Sequence, residues 1–104
     1  HAISKNNYIS LQEGMVVSNE PGYYEKNKFG IRIENLIYVK KTDKKKYFDN
    51  LTLVPIDKEL INKNLLNKNE KKWINDYHKK VFKCLKYAMN NNEVLELEKA
   101  CSAI

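Results

Sequence analysis

The chain reads as an α+β protein, with antiparallel strands first and helices after. Three observations predict this. The first half carries short runs in which apolar and polar residues alternate, the period of a half-buried strand. These runs are punctuated at Gly14, Pro21-Gly22 and Gly30. From Asn67 onward the apolar residues recur at about 3.6-residue spacing, the period of a helix with one buried face. Strands grouped before helices, with no internal repeat, point to α+β rather than to a parallel sheet with alternating helices.

Residues 1–10 read as loop, with Ser4-Lys5-Asn6-Asn7 as a turn-like cluster and Gln12-Glu13-Gly14 as a second turn. Met15 to Glu20 follows as a short strand. Pro21-Gly22 ends it, because Pro donates nothing to a ladder and Gly tolerates a positive φ. Tyr23 and Tyr24 are expected to pack beside a hairpin turn whose tip, Glu25 to Lys28, is polar and solvated. A second strand runs from about Phe29 to Lys40. Its alternation sends Ile31, Ile33, Ile37 and Val39 to the core and Arg32, Glu34, Leu36 and Tyr38 to the other face.

Lys44-Lys45-Lys46 is a charged turn, and Leu51 to Ile56 reads as a third strand ended by Pro55. Residues 57–66 are irregular or a short helix, anchored by Leu60, Ile61, Leu65 and Leu66. A long helix starts at Asn67, where Asn67 and Glu70 have the spacing of a capping box. Its stripe is Trp73, Ile74, Tyr77, Val81, Cys84, Leu85 and Ala88, with His78 beside it as a packing or solvated histidine. Asn90-Asn91-Asn92 breaks the pattern, and a last helix over about 93–102 carries Val94, Leu95, Leu97 and Ala100. In domain terms, residues 1–56 form a strand-rich part and residues 57–104 a helical extension packed on it, within one incomplete domain.

A chain of 104 residues holds at most one domain, of a size that buries only a modest core. It begins with His1 rather than Met and reads as a piece of something longer. No signal peptide and no apolar run near the roughly 20 residues of a membrane span are present, so no membrane partner is expected. The net charge is +6. It comes from Lys in a chain also rich in Asn, a compositional bias. A nucleic-acid surface gathers several Arg and aromatics on one face, so no nucleic-acid partner is expected, and that class rests on net charge alone. One Arg, Arg32, stands among the 19 Lys and Arg residues, two positions from Glu34. That placement suggests a need for a planar, bidentate guanidinium. Cys84 and Cys101 lack CxxC spacing and fit reduced, half-buried thiols of a cytosolic protein; a disulfide between them is the alternative.

The residues with chemistry in them are Glu20 and Glu34. Each stands in or at the end of a run with strand character, and a hairpin between them would aim both carboxylates at one spot. Two carboxylates that close repel unless something positive sits between them. A pair of divalent cations does this and lowers the pKa of a water, giving a nucleophile at neutral pH. Oxygen donors suit Mn²⁺ and similar ions. Arg32 shares a strand face with Glu34 and can touch it or a common ligand. Taken alone, two Glu near strand ends read more readily as surface residues or structural ion pairs.

The wording around them shifts the balance. Leu11 to Tyr24, with Glu13-Gly14-Met15 and Glu20-Pro21-Gly22-Tyr23-Tyr24, and Phe29 to Asn35, with Gly30-Ile31-Arg32-Ile33-Glu34-Asn35, resemble the last two metal-ligand motifs of the Xaa-Pro aminopeptidases (aminopeptidase P). These enzymes are metallopeptidases of the pita-bread, or creatinase/aminopeptidase, fold. Leu51 to Ile56 and Trp73 to His78 are similar to the C-terminal extension of the large, three-domain, cytosolic members. The resemblance implies that Glu20 and Glu34 are two ligands of a dinuclear site, usually with Mn²⁺, in which Glu34 bridges the ions. Glu20 would also act as general base, and Arg32 would orient a carboxylate as a further catalytic residue. The substrate would be a peptide with proline second, cut at its first bond. In the family the other ligands, two Asp and one His, lie upstream, so the partner needed first is the rest of the same polypeptide, and the piece alone is expected to be inactive. His1 follows the family's upstream histidine element and is not taken as catalytic. The resemblance also implies a cytoplasmic enzyme and allows a homodimer, to which the tail helices could contribute. A prolidase-like dipeptidase and a pita-bread module that binds proteins without catalysis stand as alternatives.

Overall fold

Pro21 decides how the strands divide. A computed structural model of the chain describes residues 8–104; the readings made for His1 and for the turn at Ser4 to Asn7 lie outside the described residues. The strands are β1 (Val16–Asn19), β2 (Gly22–Glu25), β3 (Phe29–Arg32), β4 (Asn35–Lys41) and β5 (Lys46–Asn50). They form a three-stranded antiparallel sheet, β1-β4-β5, and a two-stranded ribbon, β2-β3. The strand expected from Phe29 to Lys40 is therefore two, β3 and β4. Pro21 has no N–H to give, and at this level the two backbones share one bond, Ile33 N–H to the Pro21 carbonyl at 3.2 Å.

Burial follows the split. Val17, Ile37 and Val39 are buried beneath the three-stranded sheet, whereas Ile31 and Ile33, expected in the core, are 41 % and 47 % exposed. Ile31 lies on the ribbon and Ile33 one residue past it, on the same exposed side as Tyr23 and Phe29; Tyr23 and Phe29 rest on each other, with ring centroids 5.9 Å apart. Gly14 takes φ +84° in the turn before β1, a conformation open to Gly. Asn27 takes φ +60° at the ribbon's tip, which Asn tolerates better than most residues.

The third strand is β5, not Leu51 to Ile56. Phe48 pairs with Val39, and Tyr47 with Lys40. Past β5, the Leu51 and Thr52 N–H groups still donate to the Leu36 carbonyl at 2.9 and 3.4 Å, and further on two backbone groups are met by helix side chains. The Tyr77 hydroxyl donates to the Val54 carbonyl at 2.8 Å, and the Ile56 N–H donates to His78 Nε2 at 3.0 Å. Backbone groups with such partners have no need of a strand neighbour.

The residues group into two compact units, one through Thr52 and one from Leu53. The second holds a short 3-10 turn (Lys63–Leu65), α1 (Lys68–Leu85), a 3-10 turn (Lys86–Ala88) and α2 (Asn91–Cys101). Leu60 and Leu65 do not anchor the segment before α1; both point to solvent. Asn67 and Glu70 form the expected capping box, and Asn90 and Glu93 form a second one that starts α2 two residues earlier than expected. The core is Tyr77, Val81 and Leu97, with Leu53, Ile56, Phe82, Leu85, Met89 and Cys101 packed around it. His78 joins this buried face with no exposed surface, whereas Trp73, Cys84, Ala88 and Leu95 lie outside it. Both cysteines are free thiols, Cys101 half-buried and Cys84 exposed rather than half-buried.

Candidate metal centre

One register runs through the whole hairpin. Asn19 pairs with Asn35 on the sheet side, and Gly22 with Arg32 on the ribbon side. Carried across the gap, the same register sets Glu20 opposite Glu34 and Pro21 opposite Ile33. Side chains alternate along a strand. Glu20, Gly22 and Tyr24 therefore share a face with Gly30, Arg32 and Glu34.

The side chains meet on that face. Arg32 Nη1 donates to Glu20 Oε2 at 2.6 Å, and Arg32 Nε lies 3.7 Å from Glu34 Oε2. One guanidinium thus touches both carboxylates, which places the two acids on one site rather than on opposite surfaces. The three side chains keep 42–48 % of their surface, so these pairs add little to stability; their effect is on aim. Ser18, one step back on the same face, donates its hydroxyl to Glu20 Oε1 at 2.6 Å. The Ser18 hydrogen bond first, and Arg32 by its charge and its own hydrogen bond, hold the Glu20 carboxyl below its ordinary value against the opposing effect of desolvation. Around Arg32, Tyr24 has the largest influence, followed by Glu34 and Glu20, and together they raise its already high pKa.

Two carboxylates on neighbouring backbones are hard oxygen donors, the kind that suits Mn²⁺, Mg²⁺ or Ca²⁺. Among the described residues no three His, Cys, Asp or Glu side chains gather around one point. The chain therefore brings part of a cation's ligand set. Sequence reasoning singled out Glu20, Arg32 and Glu34, set Tyr24 beside the hairpin turn, and missed Ser18. The signal for Ser18 was the alternation that already joined Arg32 to Glu34.

A piece of metallopeptidase architecture is what this hairpin and its helices make. The crystal structure of an X-prolyl aminopeptidase from Caenorhabditis elegans, a cytosolic enzyme with a di-nuclear active site, matches over 97 % of this chain and 18 % of its own, with 34 % identity and a TM-score of 0.81. The fold is thus the C-terminal part of the pita-bread type. The chain belongs to metallopeptidase family M24, whose model matches residues 1–41, while the model of that peptidase's C-terminal region matches residues 46–104. Among curated relatives, the probable Xaa-Pro aminopeptidase P of Coprinopsis cinerea is 43 % identical over 84 % of this chain and 15 % of the relative. That of Phaeosphaeria nodorum is 51 % identical over 71 % of this chain and 13 % of the relative. The chain spans less than a fifth of the length of each of these proteins.

Proposed function

We propose that this chain is the C-terminal part of the catalytic domain of a metal-dependent aminopeptidase that removes the first residue from peptides with proline in second position. The observation that carries the reading is the single guanidinium contact shared by Glu20 and Glu34, in a chain 43 % identical to a probable Xaa-Pro aminopeptidase P. Glu20 and Glu34 would hold two divalent ions, Mn²⁺ by preference, together with ligands from the rest of the polypeptide. The ions, once bound, supply Lewis acidity that lowers the pKa of water and polarises a carbonyl.

The chain's own residues do the remainder. Glu20 is an anion at neutral pH, able to bind a cation with one oxygen and to take a proton from the attacking water with the other. Arg32 keeps both carboxylates turned to the same place. Glu34, opposite Glu20 in register, closes the site from the neighbouring backbone. The likeness to Xaa-Pro aminopeptidases favours this activity over a prolidase-like dipeptidase, and retention of both carboxylates favours it over a module without catalysis. The likeness to the Caenorhabditis elegans enzyme, a cytosolic one, supports a cytoplasmic site of action.

The test is Glu20→Ala and Glu34→Ala, each in the full-length polypeptide. Each variant should lose bound Mn²⁺ and lose Xaa-Pro cleavage by at least about a hundredfold. Near-parental rates in either variant would end the reading.

A further inference from the structure

β5 ends before β4 does. The last pair between them is Asn50 with Ile37, whereas β4 reaches on through Leu36 to Asn35, and Glu34 stands directly before Asn35. Leu36 turns its N–H and its carbonyl to the β5 side, and the chain just past β5 meets both. The Thr52 hydroxyl oxygen accepts from the Leu36 N–H at 2.8 Å. The Leu36 carbonyl accepts from the Leu51 N–H at 2.9 Å and from the Thr52 N–H at 3.4 Å. One position nearer the carboxylate, the side-chain amide of Asn35, a residue only 7 % exposed, donates to the Asn50 side-chain oxygen at 3.3 Å. Side chains thus carry on a ladder that the β5 backbone has left. Glu34 itself lies in the gap between β3 and β4, where the Ile33 N–H crosses to the Pro21 carbonyl at 3.2 Å. Its place therefore depends on how firmly the residues after it are held.

We propose that Thr52 is a positioning residue for Glu34. Its hydroxyl stands in for a strand carbonyl, fixes the backbone at Leu36, and so fixes the point from which Glu34 offers its carboxylate to a cation. The proposal rests on the reading of Glu34 as a metal ligand. A hydroxyl has lone pairs to accept an N–H as a carbonyl does, and it reaches Leu36 from a segment that no longer runs as a strand. Without it the Leu36 N–H loses its acceptor, and the start of β4 is free to shift. Groups that orient ligands set metal affinity even though they never touch the ion. Packing by the Thr52 methyl is a separate, purely structural service, and the two can be parted. Thr52→Val keeps the shape and removes the oxygen. Thr52→Ser keeps the oxygen and removes the methyl.

The experiment is Mn²⁺ titration of the metal-stripped full-length protein, well below the unfolding midpoint of each variant, with amide hydrogen exchange at Leu36 measured beside it. Thr52→Val should exchange the Leu36 amide faster than the parent and bind Mn²⁺ about tenfold more weakly. Thr52→Ser should stay close to the parent in both. Leu97→Ala, which loosens the helical core, should lower the unfolding midpoint and leave Mn²⁺ affinity unchanged. Parental Mn²⁺ affinity in Thr52→Val overturns the proposal. An equal loss in Thr52→Ser also overturns it, because the effect would then belong to the methyl, and an equal loss in Leu97→Ala overturns it as general destabilisation. Glu34→Gln separates the two levels. If it binds Mn²⁺ normally, the metal-site reading falls and takes this proposal with it. If it loses Mn²⁺ while Thr52→Val does not, the role of Thr52 alone falls.

Discussion

The Ser18 hydrogen bond is the largest single effect that favours the charged form of Glu20. The hydroxyl donates to the ionised carboxylate at 2.6 Å, and a hydrogen bond to the charged form favours that form. Ser18→Ala should therefore raise the Glu20 pKa toward the ordinary value of 4.5, measurable by carboxyl NMR titration of the metal-free protein; an unmoved or lowered pKa would contradict the assignment. At this scale the acidic residues were legible because strand alternation is strict. Arg32 and Glu34 had to share a face, and a hairpin had to bring Glu20 to them. Ser18 obeys the same alternation but carries no charge to draw notice.

Asn67 and Asn90 start the two helices by the same device, a side-chain oxygen that accepts from the N–H groups two and three residues on while a Glu reaches back. Asn67→Ala and Asn90→Ala should each cost about 1 kcal/mol, read as a lowered calorimetric Tm. Leu97→Ala, which opens a hole beside Tyr77 and Val81, should cost about 3 kcal/mol. The first helix was legible because a cap signature and an apolar stripe agree. The second signature stood in a run of three Asn that reads as a break. β5 escaped notice because Lys46, Tyr47 and Phe48 are all exposed, which leaves no alternation to detect. Leu51 to Ile56 misled for the opposite reason: its apolar residues belong to a segment whose backbone answers, at Val54 and Ile56, to Tyr77 and His78. Where tertiary partners supply the hydrogen bonds, periodicity alone cannot tell strand from loop.

Across the whole molecule, the groups with lowered pKa values act in one direction. His78 has no exposed surface. Burial first, and Lys58 after it, hold its pKa below 6.5. The Ile56 N–H aimed at Nε2 makes a contact that only an unprotonated nitrogen can accept, and among the described residues no hydrogen-bond partner meets Nδ1. Glu20 and Asp76 lie below 4.5 and 3.8, Glu20 through Ser18 and Asp76 through its bond from Lys72. A group whose folded pKa is depressed gives stability that is present above its unfolded pKa and is lost as pH falls toward the folded one. Acid should therefore weaken the protein in two windows, the first beginning near pH 6.5 with His78, the second near pH 4.5 with Glu20 and then Asp76. Trp73 stacks on Tyr77 at 5.6 Å, one residue from His78, and as the sole Trp it reports on the helical unit. Urea midpoints followed by its fluorescence from pH 8 to pH 3 should begin to fall in the first window. In His78→Phe that first fall should vanish, even though the variant is weaker at pH 8 by about 1–3 kcal/mol because the Ile56 N–H loses its acceptor. A first window that persists in His78→Phe would assign it to some other group.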